Sequence, residues 1–315
     1  MTSAGRFAPS PSGELHVGNL RTAILAWLFA RSSGRRFLMR VEDLDRARAG
    51  AEAEQLRDLT AIGVDWDGGV VRQTDREHLY TAAIARLTEA GRTYECFCTR
   101  REIQEAPSAP HAPLGAYPGT CRNLGTAERA AKRAVRPAAI RLRADVAEAT
   151  VRDVLHGRYT GVVDDFVLRR NDGVTAYNLA VVVDDAAQGI DQVVRGDDLL
   201  PSTPRQAYLA SLLDMPVPEY AHVPLVLNAD GARLAKRDGA VTLSDLALAG
   251  VTADEVRDAL LASLGLPPGP LKHAVAAFDP AALPREPWVW PGMPDPQPGT
   301  ATRPGPEATA RRLDS

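Results

Sequence analysis

The stretch RFAPSPSGELHVGNLRT, residues 6–22, carries the chain from an apolar strand into an amphipathic helix through a turn rich in proline and glycine. Residues 3–8 have the composition of a short strand, and from Gly18 apolar side chains recur at helical spacing as far as Gly34. Residues 36–42 then alternate in the manner of a second strand. This β-α-β unit predicts a parallel sheet with a right-handed crossover, and therefore an α/β fold.

The turn brings His16, Gly18 and Asn19 to the N-terminus of the predicted helix. A helix N-terminus presents unpaired N–H groups and a partial positive charge, which suit a polyphosphate, and Gly18 has no side chain to hold the backbone away from a ligand. His16 and Asn19 would share one face of the first turn and could donate hydrogen bonds to a phosphoryl group in the transition state. The same residues also fit a proline-rich turn closed by a capping asparagine.

A second candidate phosphate element is the loop at residues 229–239, which follows an apolar strand and carries Arg233, Lys236 and Arg237 between glycines. A cationic loop with flexible glycine ends can close over phosphates and open again. The alternative is a solvated hairpin tip, where basic residues are common.

The composition is that of an ordinary globular protein, since 45% of the 315 residues are hydrophobic and 24% are charged. The N-terminus lacks the pattern of a secretion signal, and the longest apolar run, residues 23–30, is too short for a bilayer, so a cytoplasmic location is expected. With a net charge of −3 the protein as a whole does not attract RNA, so RNA binding would require a local basic patch. One span without acidic residues is either such a patch or a solvated helix flank: Arg129, Lys132, Arg133, Arg136, Arg141 and Arg143.

The three cysteines, Cys96, Cys98 and Cys121, lie within 26 residues of a chain that has no others. An odd number without a secretion signal argues against disulfides and for a thiolate metal site. Three thiolates and one further ligand, Tyr117 or His111, would complete a tetrahedral zinc shell. General zinc chemistry prefers His111, because an unperturbed phenol ionises only at about pH 10. A closed shell leaves no position for a reacting water, so the zinc would be structural.

In their order along the chain, several motifs resemble the catalytic core of class I glutamyl-tRNA synthetases over about residues 4–265: RFAPSPSGELHVGN, FLMRVEDLDRAR, DWDGG, TAYNLAVVVDDAAQGIDQVVRGDDLL and RLAKRDGA. HVGN looks like the HIGH element of that family, and RLAKR looks like its KMSKS loop. The shortened paralogues, the glutamyl-queuosine tRNA(Asp) synthetases, are more similar still, with segments such as SPSGELH, YNLAVVVDD and VRGDDLL and no anticodon-binding domain.

The resemblance implies activation of glutamate to glutamyl-adenylate by ATP with Mg²⁺, without tRNA. Transfer to the queuosine base in the anticodon loop of tRNA(Asp) would follow. If these motifs have the roles they have in the family, ATP would be bound by His16, Gly18, Asn19 and Lys236. Catalysis would depend on three of them, namely His16, Asn19 and Lys236. The matching glutamate pocket would be Arg6, Ala8, Ser10, Glu42, Tyr177 and Arg195.

Three residues depart from the pattern of the full-length glutamyl enzymes. Ala235 replaces the serine before the loop lysine and Arg233 replaces the first lysine, so weaker loop closure or adenylate chemistry is expected. Val181 replaces an asparagine that contacts the amino acid; the shortened paralogues commonly carry valine there, which predicts looser glutamate binding. For Glu42 and Arg195, a structural ion pair at strand ends is the alternative to substrate binding.

The shortened paralogues also resemble this chain in the C-x-C, Tyr and Cys pattern, which favours Tyr117 over His111 as the fourth zinc ligand. Two other functions stay open. One is a truncated synthetase that charges tRNA(Glu), and the other is a non-catalytic paralogue that binds glutamate, ATP or tRNA. A monomer without membrane contact is expected.

The fold implied is a Rossmann-like parallel sheet, interrupted by an α+β insertion with the zinc site and followed by a short helical region. The apolar run LAVVVDD, residues 179–185, predicts a strand covered on both faces, and the prolines from about residue 280 onward predict a disordered tail. The expected segments are 1–90 (first half of the catalytic domain), 91–178 (the insertion, similar to an acceptor-binding domain), 179–240 (the second half, with the cationic loop), 241–279 (a helical region similar to a stem-contact region) and 280–315 (the tail).

Overall fold

The computed structural model describes residues 3–45, 47–105, 117–232, 234 and 241–292. The strands are β1 (Ala4–Phe7), β2 (Arg36–Val41), β3 (Val71–Arg72), β4 (Thr93–Cys96), β5 (Ala139–Leu142), β6 (Glu148–Asp153), β7 (Gly157–Val162), β8 (Val167–Arg169), β9 (Ile190–Gly196), β10 (Glu219–Val223), β11 (Val226–Leu227) and β12 (Trp288–Val289). The helices are α1 (Val17–Ser32), α2 (Ala51–Ala61), α3 (Glu77–Glu89), α4 (Arg100–Glu105), α5 (Thr126–Arg133), α6 (Tyr177–Gln188), α7 (Thr203–Leu212), α8 (Leu243–Leu248), α9 (Ala253–Ala262) and α10 (Leu271–Ala274). Within these ranges, none of the helices has both the length and the apolar character that crossing a membrane requires.

Seven strands form one sheet in the order β3-β2-β1-β9-β10-β6-β7. The expected β-α-β unit is confirmed, because β1 and β2 pair in parallel, with Gly5 opposite Phe37, and α1 joins them. β9 pairs in parallel with both β1 and β10, so the carboxyl ends of these central strands meet at one edge. In open parallel sheets this is the edge at which ligands bind.

Alternate residues of β2 face different layers of the protein. Phe37 and Met39 pack with α1, α9 and α10 in the largest apolar cluster, whereas Leu38 belongs to a separate cluster. Arg40, on the same face as Leu38, hydrogen-bonds Asp185 of α6. The sheet is therefore covered on both faces, as an α/β architecture requires.

The expected insertion is built into the sheet more closely than the sequence indicated. Its strands β4, β5 and β8 form a separate antiparallel sheet. The β6-β7 hairpin, in contrast, extends the main sheet, because β6 pairs in parallel with β10 and places Asp153 opposite Tyr220. The hairpin covers an edge of β10 whose backbone groups would otherwise lack partners. The outer limits of the insertion, residues 91 and 178, remain predictions.

The expected strand at residues 179–185 is wrong, because these residues lie within α6. A short apolar run fits a buried strand and a buried helix equally well, and α6 is buried because it packs with α3 and α7. Gly189 ends the helix with a φ of 68°, a left-handed conformation that glycine adopts without strain. The strand of this half of the sheet is β9, which begins directly after that glycine.

The expected disordered tail is wrong for residues 280–292. Leu283 and Trp290 are buried in the largest apolar cluster, and β12 pairs in parallel with β11, with Trp288 opposite Val226. Indole side chains bury a large apolar area, which orders a proline-rich segment with few aliphatic residues. Residues 293–315 lie outside the described part of the chain.

Candidate active site and metal centre

A cleft of about 660 Å³ opens at the carboxyl edge of the parallel strands, where β1 leads into α1. Its walls come from the segment after β1, from the residue after β2, from the start of α6 and from the end of β9. It brings together all the described residues that the sequence predicted for ATP and glutamate binding: Arg6, Ala8, Ser10, His16, Gly18, Asn19, Glu42, Tyr177 and Arg195.

His16 caps α1 with its own side chain. Its Nδ1 accepts hydrogen bonds from the backbone N–H groups of Gly18 (3.1 Å) and Asn19 (3.3 Å), and Asn19 Oδ1 accepts one from the His16 N–H (3.2 Å). A ring nitrogen that accepts carries no proton, so the neutral imidazole holds its proton on Nε2. A Cβ at position 18 would lie 3.0 Å from the Nδ1 and Cε1 atoms of His16. The ring can take this position because Gly18 has no Cβ.

The expectation of unpaired N–H groups at this helix N-terminus is wrong. The Val17 N–H donates to the carbonyl of Val241 (3.0 Å), and the next three N–H groups all donate to His16. The helix dipole still favours an anion here. Hydrogen bonds to a phosphate would therefore come from side chains, namely the Nε2–H of His16 and the amide of Asn19.

The expected cationic loop falls mostly outside the described residues, which leave out Arg233, Ala235, Lys236 and Arg237. Two described residues, Leu234 within the loop and Thr242 beyond it, lie on either side of residues 235–240. Leu234 is buried in the cleft wall, and Thr242, which follows residues 235–240 closely, forms an isolated β-bridge with His16. The chain therefore leaves and rejoins the described structure beside the N-terminus of α1.

Arg6 and Glu42 belong to a buried charge network in the cleft wall. Arg40 donates to Asp185 (2.7 Å) and to Glu42 (3.3 Å), while Arg6 donates to Asp185 (3.5 Å) and to the carbonyl of Val194 (3.3 Å). Burial raises the pKa of Glu42, although the charges of Arg40 and Arg6 oppose this rise. Glu42 thus has a structural partner, Arg40, and also lines the cleft.

Arg195 is only 5% exposed, and no carboxylate of the described residues lies within ion-pair distance of it. Its Nε donates to Nε2 of His222 (3.0 Å), its Nη2 to Oγ1 of Thr203 (2.8 Å) and its Nη1 to the hydroxyl of Tyr177 (3.4 Å). A buried guanidinium with neutral partners is costly unless a ligand supplies negative charge. The structural ion pair considered for this residue is therefore not formed within the described structure.

Thr203 and His222, which contact Arg195, and Asp153, which contacts His222, were missed by the sequence analysis. A threonine before a proline and a lone histidine in a strand are ordinary patterns, and neither indicates a site. Only the pairing of β6 with β10 brings Asp153 to His222.

Val181, at the position where full-length enzymes have an asparagine, is not among the residues that line the cleft. It is 2% exposed and packs among apolar side chains of α3, α6 and α7. Looser glutamate binding because of this valine remains a prediction, and its effect would be indirect.

The cysteines come together in a compact cluster. The Sγ atoms of Cys96, Cys98 and Cys121 all lie within 4.8 Å of one another. The hydroxyl of Tyr117 lies 3.3 Å from Cys96 Sγ and 3.6 Å from Cys98 Sγ. Arg141 stacks on the Tyr117 ring, with its Cζ 3.7 Å from the ring centroid, and its charge favours a phenolate. Three thiols and a phenol oxygen so arranged are a donor set that fits a tetrahedral metal ion.

Ionisation differs within this cluster. Burial opposes ionisation of Cys96, but the hydrogen bond with Tyr117 and the charge of Arg141 outweigh burial and lower the pKa of its thiol. Burial raises the pKa of Cys98 to about 12 and raises the pKa of Tyr117 well above its usual range. A bound cation would favour the anionic forms, because a coordinating thiol is deprotonated. The competing ligand, His111, lies outside the described residues.

The basic span at residues 129–143 is less available to RNA than its composition suggests. Arg141 is buried against a tyrosine ring, and Arg133 and Arg136 each pair with a glutamate. Lys132 belongs to α5, a helix without buried residues. RNA contact at this span stays a prediction, and it now depends on fewer cations.

Comparison with known proteins agrees with this geometry. Residues 4–269 match the family described as tRNA synthetases class I (E and Q), catalytic domain. The chain is 71% identical to the glutamyl-Q tRNA(Asp) synthetase of Nocardia farcinica over 287 residues, which are 91% of this chain and 92% of that protein. It is 54% identical to the glutamyl-Q tRNA(Asp) synthetase of Cutibacterium acnes over 270 residues, covering 84% of this chain and 77% of that protein.

Two solved structures of synthetases share the fold. The glutamate-tRNA synthetase of Elizabethkingia anophelis superposes with a TM-score of 0.76 at 27% identity, over 92% of this chain and 68% of that one. A glutamate tRNA ligase of Elizabethkingia meningosepticum, in complex with its amino acid, gives a TM-score of 0.74 at 25% identity over 91% of this chain. The present chain covers 66% of that ligase, just under two thirds. The chain belongs to the class I tRNA synthetases of the E and Q type, among the relatives named glutamyl-Q tRNA(Asp) synthetases.

Proposed function

We propose that this ligase activates glutamate with ATP, without tRNA, and transfers it to the queuosine base in the anticodon loop of tRNA(Asp). The observation that carries the glutamate assignment is Arg195, a buried guanidinium in the cleft wall with no carboxylate partner among the described residues. A guanidinium fork matches a carboxylate in bidentate geometry. Glutamate has two carboxylates, so one can bind this arginine while the other reacts.

Other residues of the same cleft complete the proposed amino-acid pocket. Glu42 would bind the substrate ammonium. Burial raises the pKa of this carboxyl, and the positive charge of the ammonium would favour its ionised form. Tyr177 and Arg6 would border the bound carboxylate, and Ala8 and Ser10 would shape the wall after β1.

In the activation step, a glutamate carboxylate oxygen forms a bond to the α-phosphorus of ATP. The bond from that phosphorus to the bridging oxygen breaks, and its electron pair leaves with pyrophosphate. No protein nucleophile is needed, so the protein contributes position and charge. The Nε2–H of His16 and the amide of Asn19 would donate to phosphoryl oxygens, and Lys236 would add a cation from the loop. Mg²⁺ would accompany ATP and neutralise part of its charge.

The acceptor assignment depends on the relatives, two of which, at 71% and 54% identity, are named glutamyl-Q tRNA(Asp) synthetases. A hydroxyl of queuosine would attack the carbonyl carbon of the adenylate, so that an ester forms, AMP leaves and the hydroxyl proton passes to solvent. The exposed helix α5 is the proposed RNA contact. We further propose that the enzyme acts as a monomer.

We propose zinc as the ion held by Cys96, Cys98, Tyr117 and Cys121. The ion would supply a closed tetrahedral crosslink between the end of β4 and the segment around residue 120. Such a crosslink would stabilise a sheet that is too small to support itself through apolar packing alone.

Exchange of labelled pyrophosphate into ATP tests the activation step. We expect exchange that requires glutamate and proceeds without any tRNA, and its absence would contradict the proposal. The acceptor is tested by charging tRNA(Asp) with and without queuosine, next to tRNA(Glu). Glutamate attached only to queuosine-containing tRNA(Asp) supports the proposal, whereas charging of tRNA(Glu) would identify a truncated conventional synthetase.

A further inference from the structure

Arg195 is held from within the protein by buried polar side chains that do not line the cleft. Asp153, at the end of β6, accepts hydrogen bonds from the Nδ1 (2.6 Å) and the backbone N–H (3.0 Å) of His222 in β10. The other ring nitrogen of His222, Nε2, lies 3.0 Å from Nε of Arg195. Asp153 and His222 are 2% and 0% exposed, so water does not compete for these hydrogen bonds.

The carboxylate of Asp153 determines which nitrogen of His222 carries the proton. One carboxylate oxygen accepts the N–H groups of Leu155 (2.8 Å) and His156 (2.9 Å), while the other accepts from His222. Burial opposes ionisation of Asp153, but the hydrogen bonds outweigh it and lower its pKa, and burial lowers the pKa of His222. An ionised carboxylate only accepts, so Nδ1 holds the proton and Nε2 presents a lone pair.

That lone pair accepts the Nε–H of Arg195 and also the hydroxyl of Thr203, whose Oγ1 lies 3.0 Å away, and both contacts orient the guanidinium. Thr203 Oγ1 accepts from Nη2 and the Tyr177 hydroxyl accepts from Nη1, so three of the five N–H donors have partners. Each Nη atom keeps one N–H for a ligand, which is the fork that a carboxylate needs. The opposite tautomer of His222 would place an N–H against the Nε–H of Arg195 and turn the fork away.

We propose that Asp153 and His222 are positioning residues, which direct the Arg195 fork at the substrate carboxylate by fixing the imidazole tautomer. The proposal rests on the proposed role of Arg195 in glutamate binding. It also gives the β6-β7 hairpin a function, because the pairing of β6 with β10 brings Asp153 to this place. A segment of the insertion thereby contributes to amino-acid selectivity.

The variant Asp153→Asn tests the tautomer directly. It is nearly isosteric, but it removes the charge, and its NH2 group must face the N–H groups either of Leu155 and His156 or of His222, so the carboxylate no longer fixes the tautomer. In pyrophosphate exchange we expect the KM for glutamate to rise roughly tenfold, as for the loss of one hydrogen bond to a charged group, with the KM for ATP unchanged. The preference for glutamate over glutamine should fall by a similar factor, because a misplaced cation no longer distinguishes a carboxylate from an amide.

A matched pair at position 222 separates positioning from stability. His222→Gln keeps an acceptor that can reach the position of Nε2, whereas His222→Leu has none. We expect the leucine variant to behave like Asp153→Asn, and the glutamine variant to stay within about threefold of the wild-type KM. Melting temperatures are measured in parallel. Equal losses in both variants, or equal rises in KM for glutamate and ATP, would show a merely structural role and overturn the proposal.

Arg195→Gln in the same assay separates this inference from the proposed function. If the wild-type protein shows no glutamate-dependent exchange, the proposed function itself fails. If exchange occurs but Arg195→Gln leaves the KM for glutamate unchanged, both the role of Arg195 and its positioning are wrong. A raised KM for Arg195→Gln, with wild-type kinetics for Asp153→Asn and His222→Leu, overturns the positioning alone.

Discussion

The imidazole of His16 both caps α1 and lines the cleft. Because Nδ1 accepts the N–H groups of Gly18 and Asn19, the helix sets the ring orientation before a ligand binds. A donor fixed in advance needs no reorganisation during the reaction, which is the main source of electrostatic catalysis.

Gly18→Ala should therefore separate stability from activity. Alanine favours a helix over glycine by about 1 kcal/mol, which offsets the loss of roughly 1 kcal/mol when the displaced ring stops capping α1, so the melting temperature should change little. Its Cβ would lie 3.0 Å from the His16 ring, which must move, and we expect glutamate-dependent exchange to decrease by roughly 10²-fold, the cost of one lost donor. Exchange rates and a thermal melt check both parts; wild-type exchange would show that the ring position does not matter.

Asp58 is a residue whose burial should cost stability at neutral pH. Its Oδ2 is buried without a partner among the described residues, and burial together with Glu14 and Glu54 raises its pKa to about 6. The folded state therefore binds this proton more tightly than the unfolded state, whose pKa is 3.8. The favourable contribution is complete below the unfolded pKa and is lost as the pH rises through about 6.

Asp58→Asn should accordingly stabilise the protein at pH 7.5 and have little effect at pH 4. The shift corresponds to ~3 kcal/mol for a fully buried group, and solvent screening of this half-exposed side chain reduces the gain to about 1 kcal/mol. Urea unfolding at the two pH values measures the difference. An equal gain in stability at the two pH values would show that the gain does not come from the carboxyl proton.

At the scale of elements, the most informative contact is between β11 and β12. The Trp288 N–H donates to the carbonyl of Leu225 (3.0 Å) and the Trp290 N–H to the carbonyl of Leu227 (2.9 Å). The segment thus held lies directly before residues 228–240, which contain the cationic loop. A part of the chain that the sequence presented as a tail therefore supports the strand that leads into the cationic loop.

Trp290→Ala should destabilise the protein by about 3–5 kcal/mol, because a large side chain is removed from the main core. Trp290→Phe is the matched control. The indole Nε1 has no acceptor among the described residues, so phenylalanine removes an unsatisfied donor and should cost less than about 1.5 kcal/mol. Chemical unfolding distinguishes the two, and equal losses would argue against the packing explanation.

The cysteine cluster is also an element-scale feature, because it brings the end of β4 to the segment around residue 120. We expect about one equivalent of zinc in the purified protein, with weaker retention against a chelator in Tyr117→Phe, because that variant removes one of the four proposed ligands. Cys98→Ser should lose most of the metal and lower the melting temperature. His111→Ala decides the alternative, since loss of metal in that variant but not in Tyr117→Phe would make the histidine the fourth ligand.

At the scale of the whole molecule, the cleft joins parts of the chain that are far apart in sequence. Leu234 and Thr242, on the two sides of residues 235–240, both lie beside the turn that contains His16. This placement favours the loop lysine as a cation for the triphosphate.

Lys236→Ala should reduce glutamate-dependent exchange by roughly 10²-fold or more, because it removes one charge that stabilises the transition state. The KM for glutamate should change little, since this amino acid binds to other residues. Arg237→Ala is the matched control, with the same charge removed one residue away. Equal effects of both variants would assign the loop a general electrostatic role.

The local elements of the active site were predictable because neighbouring residues form them. The β1-α1-β2 unit follows from apolar periodicity around one proline- and glycine-rich turn, and the cysteine cluster follows from spacing within 26 residues. Failures occurred where a pattern fits two structures. The run at residues 179–185 fits a strand or a helix, and only packing against α3 and α7 selected the helix.

By itself, then, the sequence determined the turn at His16, the candidate pocket residues and the family. Only the tertiary structure decided that the carbonyl of Val241 occupies the first N–H group of α1, that Trp290 orders the proline-rich segment, and that Asp153 and His222 support Arg195. These are contacts between residues tens to hundreds of positions apart. Their energies depend on burial and on strand pairing, which no local pattern of side chains encodes.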